Sequence, residues 1–127
     1  MENIIVQDND KEILEILTIA LKEAGYNVMP TVGYEHILDQ IDRFRPHIVM
    51  LDFKLSGEEC IEAYKLIRGK YPHLPVLALS CNNNIHSEYS KVGFDGYIEK
   101  PFDIDHMYSI LRKHMPNKDM ATTYQEV

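Results

Sequence analysis

Four short apolar runs in this chain each end at a residue able to do chemistry. Ile4-Ile5-Val6 leads to Asp8, Asn9 and Asp10; Ile48-Val49-Met50-Leu51 leads to Asp52; Val76-Leu77-Ala78-Leu79 leads to Ser80; Gly96-Tyr97-Ile98-Glu99 leads to Lys100. In an open α/β sheet, ligands collect outside the carboxyl ends of the strands, so such residues share one rim. Carboxylates gathered there repel unless a cation lies between them. Oxygen-only ligands that leave waters in place favour magnesium over zinc or copper. A lysine adds a second positive charge and a hydroxyl adds a donor, a set suited to a phosphoryl group. An aspartate carboxylate can itself be the nucleophile, giving an aspartyl phosphate. Each residue also has a plainer use on its own: Asp52 as the cap of the next helix, Ser80 as the cap of the next turn, Tyr97 as strand packing. Lys100, directly after a buried strand and before Pro101, has few structural reasons to be there.

The elements that would position these residues are set by periodicity. The runs at 48–51 and 76–79 are too short for helices and suit strands covered on both faces. Ile13, Leu14, Ile16, Leu17, Ala20, Leu21 and Ala24 recur at three and four residues, predicting an amphipathic helix ended by Gly25. Tyr26–Met29 reads as a second strand broken by Pro30, and Tyr34, Ile37, Leu38 and Ile41 as a second helix that stops before Pro46. Cys60, Ile61, Tyr64, Leu66 and Ile67 line a third helix after Gly57. Residues 85–92 hold only about two turns. Met107, Ile110 and Leu111 fit a last helix closed by Pro116, and the polar tail from Asn117 is expected to fray. Strand and helix therefore alternate five times with short connections. That pattern predicts a single α/β domain over 1–116, a parallel sheet wound on both faces, with a polar tail at 117–127.

Composition sets the outer limits. Forty-five per cent apolar and 26% charged residues over 127 positions is ordinary for one globular domain. A formal net charge of −7 argues against direct nucleic-acid binding, which needs clustered Lys and Arg. No stretch approaches the roughly 20 apolar residues that span a bilayer, and the N-terminus lacks a signal-peptide layout. Cys60 and Cys81 form no CxxC or framework pattern, so a reduced, cytoplasmic setting is expected and both read as small hydrophobes. The six His are scattered and read as surface residues.

In this order and spacing, the motifs resemble the receiver domains of bacterial two-component response regulators. IIVQDNDKEILEIL is similar to the family's first strand, acidic turn and first helix, and IVMLDFKLSG to its phospho-acceptor strand and loop. PVLALS is similar to its strand ending in Ser or Thr, and GYIEKPF to its last strand with the Lys-Pro signature. The resemblance spans about residues 4 to 114. It implies a flavodoxin-like, CheY-like (βα)5 fold with five parallel strands in the order 2-1-3-4-5. It further implies Asp52 as phospho-acceptor and a magnesium ion held by Asp8, Asn9, Asp52 and the backbone carbonyl of Lys54. Ser80 would bond the phosphoryl group, Lys100 would pair with it, and Tyr97 would rotate inward. A cis Lys100–Pro101 bond is implied as well. The implied partners are a histidine kinase or phosphotransfer protein, and a downstream protein target or an output domain outside this chain. No DNA-binding or catalytic output segment is expected after the last helix.

The chain departs from the family at several points. Asn9 stands where the second acid, a direct metal ligand, is usual, so magnesium affinity should fall; Asp10 next door is a candidate to compensate. Ser56 replaces a frequent Pro, Cys60 a frequent Gly, and Cys81 a smaller residue. The interval from Ser80 to Lys100 is shorter than the family norm, so the fourth helix should be truncated. If Asn9 abolishes phosphorylation, a different class of function results: a pseudo-receiver that acts as an interaction module. A flavodoxin-like FMN binder would need a Ser/Thr-rich loop where Asp8, Asn9 and Asp10 stand. A haloacid-dehalogenase type of phosphatase wants a second Asp where this chain has Lys54.

Overall fold

The computed structural model describes residues 2–54, 57–80, 85–100, 103–116 and 123–124, with only the backbone described at 85–88. Strand and helix alternate as β1 (Asn3–Gln7), α1 (Lys11–Glu23), β2 (Asn27–Thr31), α2 (Ile37–Phe44), β3 (Ile48–Asp52), α3 (Glu58–Lys70), β4 (Val76–Ser80), α4 (Ile85–Val92), β5 (Gly96–Glu99) and α5 (Ile104–His114). All strand pairs are parallel, in the order β2-β1-β3-β4-β5. This is the doubly wound sheet that the alternation predicts, and α4 spans the two turns expected at 85–92.

Successive side chains of a strand face opposite sides of the sheet. Ile5, Val49, Leu51, Val76 and Ala78 therefore face α2 and α3, with Tyr89 and Val92 of α4 packed at the margin. Ile4, Val6, Ile48, Met50, Leu77, Leu79 and Ile98 face α1 and α5. β3 and β4 are buried at every position, as two-sided apolar strands must be. Asp10 caps α1, accepting from the N–H groups of Glu12 at 2.9 Å and Ile13 at 3.4 Å. Asp103 caps α5 through the His106 N–H at 3.1 Å. Gly57 starts α3 at φ 77°, and a Cβ there would sit 2.3 Å from the Phe53 ring, so only glycine fits.

Several expectations are corrected. Pro30 does not break β2, which runs on to Thr31 with Pro30 paired to Val6. The N–H of Asn27 and the C=O of Thr31 both bond toward β1, so the alternate residue Pro30 points its missing donor outward from an edge strand. Tyr34 lies outside α2, which begins at Ile37, although its carbonyl accepts from the Ile37 N–H at 3.2 Å. Ile16 and Leu66, placed on buried stripes by spacing, are each 58% exposed, and Ala63 fills the α3 stripe instead. His47 is half-buried, its Nδ1 accepting from the Asn3 N–H at 2.9 Å, and burial lowers its pKa. The tail is not frayed at Thr123 and Tyr124, both of which are buried. The Tyr124 ring packs 5.6 Å from that of Tyr71, and its hydroxyl donates to the Pro46 carbonyl. Ser56, Cys81 and the Lys100–Pro101 bond lie outside the described residues. Among those described, no helix is long and apolar enough to cross a membrane.

Candidate functional site

β1, β3 and β4 end side by side, and their parallel register brings the residues after the apolar runs to one rim. Asp8, Asp52 and Ser80 are all buried there, at 1%, 6% and 1% exposure. Buried carboxylates need partners. Here the partner is Lys100, directly after β5, whose Nζ donates to Asp8 Oδ2 at 2.5 Å and to Asp52 Oδ1 at 3.0 Å. Asp8 Oδ1 accepts from the Asp10 N–H at 2.9 Å. Asp52 Oδ2 has no hydrogen-bond partner among the described residues.

The electrostatics arise from this packing. Burial is the largest influence on Asp52 and pushes its carboxyl up; the Lys100 hydrogen bond and charge pull it back down, and Asp8 adds to the rise. Burial alone would lower Lys100, but its bonds to Asp8 and Asp52 and their charges outweigh that and raise it. The result is an ammonium held between two carboxylates.

The remaining expected residues are placed less uniformly. Ser80 Oγ donates to the carbonyl of Phe53, directly after β3, at 3.2 Å. Tyr97 is half-buried, its ring 4.9 Å from that of Tyr89 on α4. Asn9 is exposed, with Oδ1 3.5 Å from Gln7 Nε2. Asp10 is held as the α1 cap, so its carboxylate is not turned to replace the acid missing at position 9. Lys54 is exposed, and its carbonyl accepts from the Gly57 N–H at 2.9 Å. Among the described residues no group of three His, Cys, Asp or Glu could hold a metal by itself. The donors are nevertheless all oxygen: two carboxylates, one amide and one carbonyl with a second lone pair. Such a set fits magnesium, which binds through one or two carboxylates and keeps several waters.

Two residues of the site escape sequence reasoning. Gln7, fully buried, accepts from the Asp52 N–H at 3.0 Å and donates to the Val32 carbonyl at 2.8 Å. Tyr34 donates to the Asp52 carbonyl at 2.5 Å. Burial foremost raises the Tyr34 phenol, with Cys60, Asp52, Glu59 and Asp8 adding to it. Cys60 beside it is buried and free, its thiol pushed up to about 12 by burial. The signal for Gln7 was present as a polar residue directly continuing Ile4-Ile5-Val6. Tyr34 was masked by its fit to a helical spacing.

A parallel 2-1-3-4-5 sheet with two acids, a hydroxyl and a lysine at its carboxyl rim defines a class of signalling domain. Residues 4–112 match the family described as the response regulator receiver domain, and the chain belongs to that family. Among solved structures, it is similar to a putative response regulator from Chloroflexus aurantiacus, at 25% identity over 90% of this chain and 97% of that one, TM-score 0.79. The response regulator TrrA from Thermotoga maritima, in complex with Mg2+ and BeF, is 26% identical over 90% of this chain and 99% of that one, TM-score 0.79. The chemotaxis response regulator CheY4 of Vibrio cholerae shares the fold at 22% identity, over 90% and 98% of the two chains, TM-score 0.78. The chain is thus a CheY-like receiver domain of two-component signalling.

Proposed function

We propose that Asp52 accepts a phosphoryl group from a histidine kinase or phosphotransfer protein, and that the phosphorylated domain presents an altered helical face to a protein target or an output domain. An Asp52 carboxylate oxygen forms a bond to phosphorus while the bond to the donor's imidazole nitrogen breaks. The electron pair stays on that nitrogen, which takes up a proton from solvent. The observation that carries this reading is the Lys100 ammonium held between Asp8 and Asp52, with no partner for Asp52 Oδ2 among the described residues. Lys100 is placed to neutralise the charge of the incoming group, and the Ser80 hydroxyl, which here donates to the Phe53 carbonyl, would turn to donate to it. Tyr97 would move into the space that Ser80 vacates. Asp8, Asn9, Asp52 and the Lys54 carbonyl would hold magnesium, which when bound supplies positive charge to the phosphoryl oxygens. The reduced, cytoplasmic setting expected from the cysteine pattern suits such a partner.

Phosphorylation by a small donor such as phosphoramidate with magnesium, followed by intact mass, tests the proposal. The wild type gains one phosphoryl mass and Asp52→Asn gains none; a labelled Asp52→Asn protein would sink the assignment. A second reading, the pseudo-receiver interaction module, draws on the neutral Asn9 and the commitment of Asp10 to its cap. It predicts an unlabelled wild type with donor and metal in excess. Asn9→Asp should tighten magnesium binding in a titration, and an unchanged affinity would remove Asn9 from the ligand set.

A further inference from the structure

Register pairing between β1 and β3 ends at Gln7 and Leu51, and the next main-chain N–H of β1, that of Asp8, bonds the Thr31 carbonyl of β2 at 3.1 Å. The Asp52 N–H faces β1 at this last rung of the ladder. There the Gln7 carboxamide adds a side-chain grip to the end of the strand pair. Its Oε1 accepts from the Asp52 N–H at 3.0 Å and its Nε2 donates to the Val32 carbonyl at 2.8 Å. Two residues beyond Val32, Tyr34 donates to the Asp52 carbonyl at 2.5 Å. The Asp52 main chain is therefore gripped on both sides by a closed circuit: Gln7 to Asp52, Asp52 to Tyr34, and the 32–34 segment back to Gln7. The third reach of Gln7, 3.5 Å to Asn9 Oδ1, ties the acidic turn to the same circuit.

We propose that Gln7 is a positioning residue for phosphoryl transfer to Asp52, holding the acceptor's backbone so that its carboxylate meets Lys100 and Asp8. This rests on the reading of Asp52 as phospho-acceptor. The physical reason is leverage. A carboxylate sits two bonds from its Cα, so a small rotation of the Asp52 peptide moves the reacting oxygen by a distance that matters for transfer, where sub-ångström placement governs rate. Gln7 touches neither phosphorus nor the reacting oxygens and acts only through the Asp52 main chain.

The test compares phosphoramidate labelling, at saturating magnesium, of wild type, Gln7→Leu, Gln7→Glu and Tyr34→Phe, each first shown folded by its melting curve. Gln7→Leu removes both arms at similar size and should lower the maximal labelling rate at least tenfold, with the half-saturating donor concentration unchanged. Gln7→Glu retains the acceptor for the Asp52 N–H and should recover part of the rate, a rescue that a packing role would not produce. In wild type the Asp52 amide proton should exchange slowly, and in Gln7→Leu quickly. Should Gln7→Leu not fold, Tyr34→Phe, which releases the carbonyl of the same residue, must also slow labelling. Wild-type labelling rates in folded Gln7→Leu, or in Tyr34→Phe where that variant decides, overturn the inference. An unlabelled wild type overturns the phospho-acceptor reading and takes this inference with it, so the two failures are told apart by the wild type alone.

Discussion

The two faces of the sheet are packed by different means. Against α1 and α5 the buried side chains among the described residues are all non-aromatic: Leu14, Leu17, Ala20, Leu21, Met107 and Leu111 meet Ile4, Val6, Ile48, Met50, Leu77, Leu79 and Ile98. Against α2, α3 and α4 the buried set includes Phe53, Tyr64, Tyr71, Phe94 and Tyr124. Tyr64 and Phe94 lie with ring centroids 4.7 Å apart, and Phe53 meets Phe94 edge-on at 6.2 Å. Phenol tips on this side donate to main-chain carbonyls, Tyr34 to Asp52 and Tyr64 to Gly93 at 2.8 Å. Hydrophobic burial is non-directional, whereas ring edges and hydroxyl bonds are aimed. The first face therefore holds the sheet mainly by area, with one aimed bond at its margin, from the half-buried Tyr108 hydroxyl to the Ala20 carbonyl at 2.7 Å. The other holds it by area and orientation, and it runs without interruption from Phe53, next to Asp52, to Gly93 at the end of α4. Asp52 therefore adjoins a run of aimed contacts on the aromatic side and chiefly non-directional packing on the aliphatic side.

The strongest test of that contrast is a cavity on the aliphatic face. Leu21→Ala, at a fully buried position, should cost about 2–5 kcal/mol in denaturant unfolding while the folded fraction labels at the wild-type rate. A labelling defect matching that of Tyr34→Phe would erase the distinction between the faces. Alkaline unfolding comes next in size. The phenols raised furthest, Tyr34 and Tyr124, both belong to the aromatic side, and burial leads the causes in each. Above the ordinary phenol value of 10.0 the unfolded chain loses these protons before the folded one does, so stability falls as pH rises toward the folded values. Lys100, raised as well, falls off in the same direction from 10.5 upward. Tyr124→Phe should therefore flatten the slope of stability against pH above 10, and an unaltered slope would mean that Tyr124 does not titrate with unfolding. Smallest is Tyr64→Phe, which deletes the bonds to Gly93 and from Arg68 Nε and should cost about 1 kcal/mol. Its more telling readout is the NMR environment of Tyr97 on adding beryllofluoride, expected to change less than in wild type.

Much of this architecture was legible because buried strands announce themselves as apolar runs, and the run ends located Asp8, Asp52, Ser80 and Lys100 without any contact information. Spacing could not weigh one apolar residue against another: Ile16 and Leu66 sit at helical intervals but on the rim of their stripes, where the sheet no longer covers them. Gln7 was illegible for a different reason. A glutamine at a strand end reads as solvated, and only the pairing of β1 with β3 brings its amide to the Asp52 N–H. Tyr124 lies in a polar tail with no periodicity. Its burial depends on a distant pair, Pro46 and Tyr71, that local sequence does not join to it.

Pro30 has a consequence outside the domain. β2 is one of the two outer strands of the sheet, and an outer strand is an open invitation to a second chain. The residues of β2 whose main chain points outward are Val28 and Pro30, and the latter has no hydrogen to give. A neighbouring strand drawing alongside could take a single N–H bond, from Val28, where a ladder needs a row of them. The proline that local pattern marks as the end of a strand instead blunts its open edge against strand-to-strand pairing.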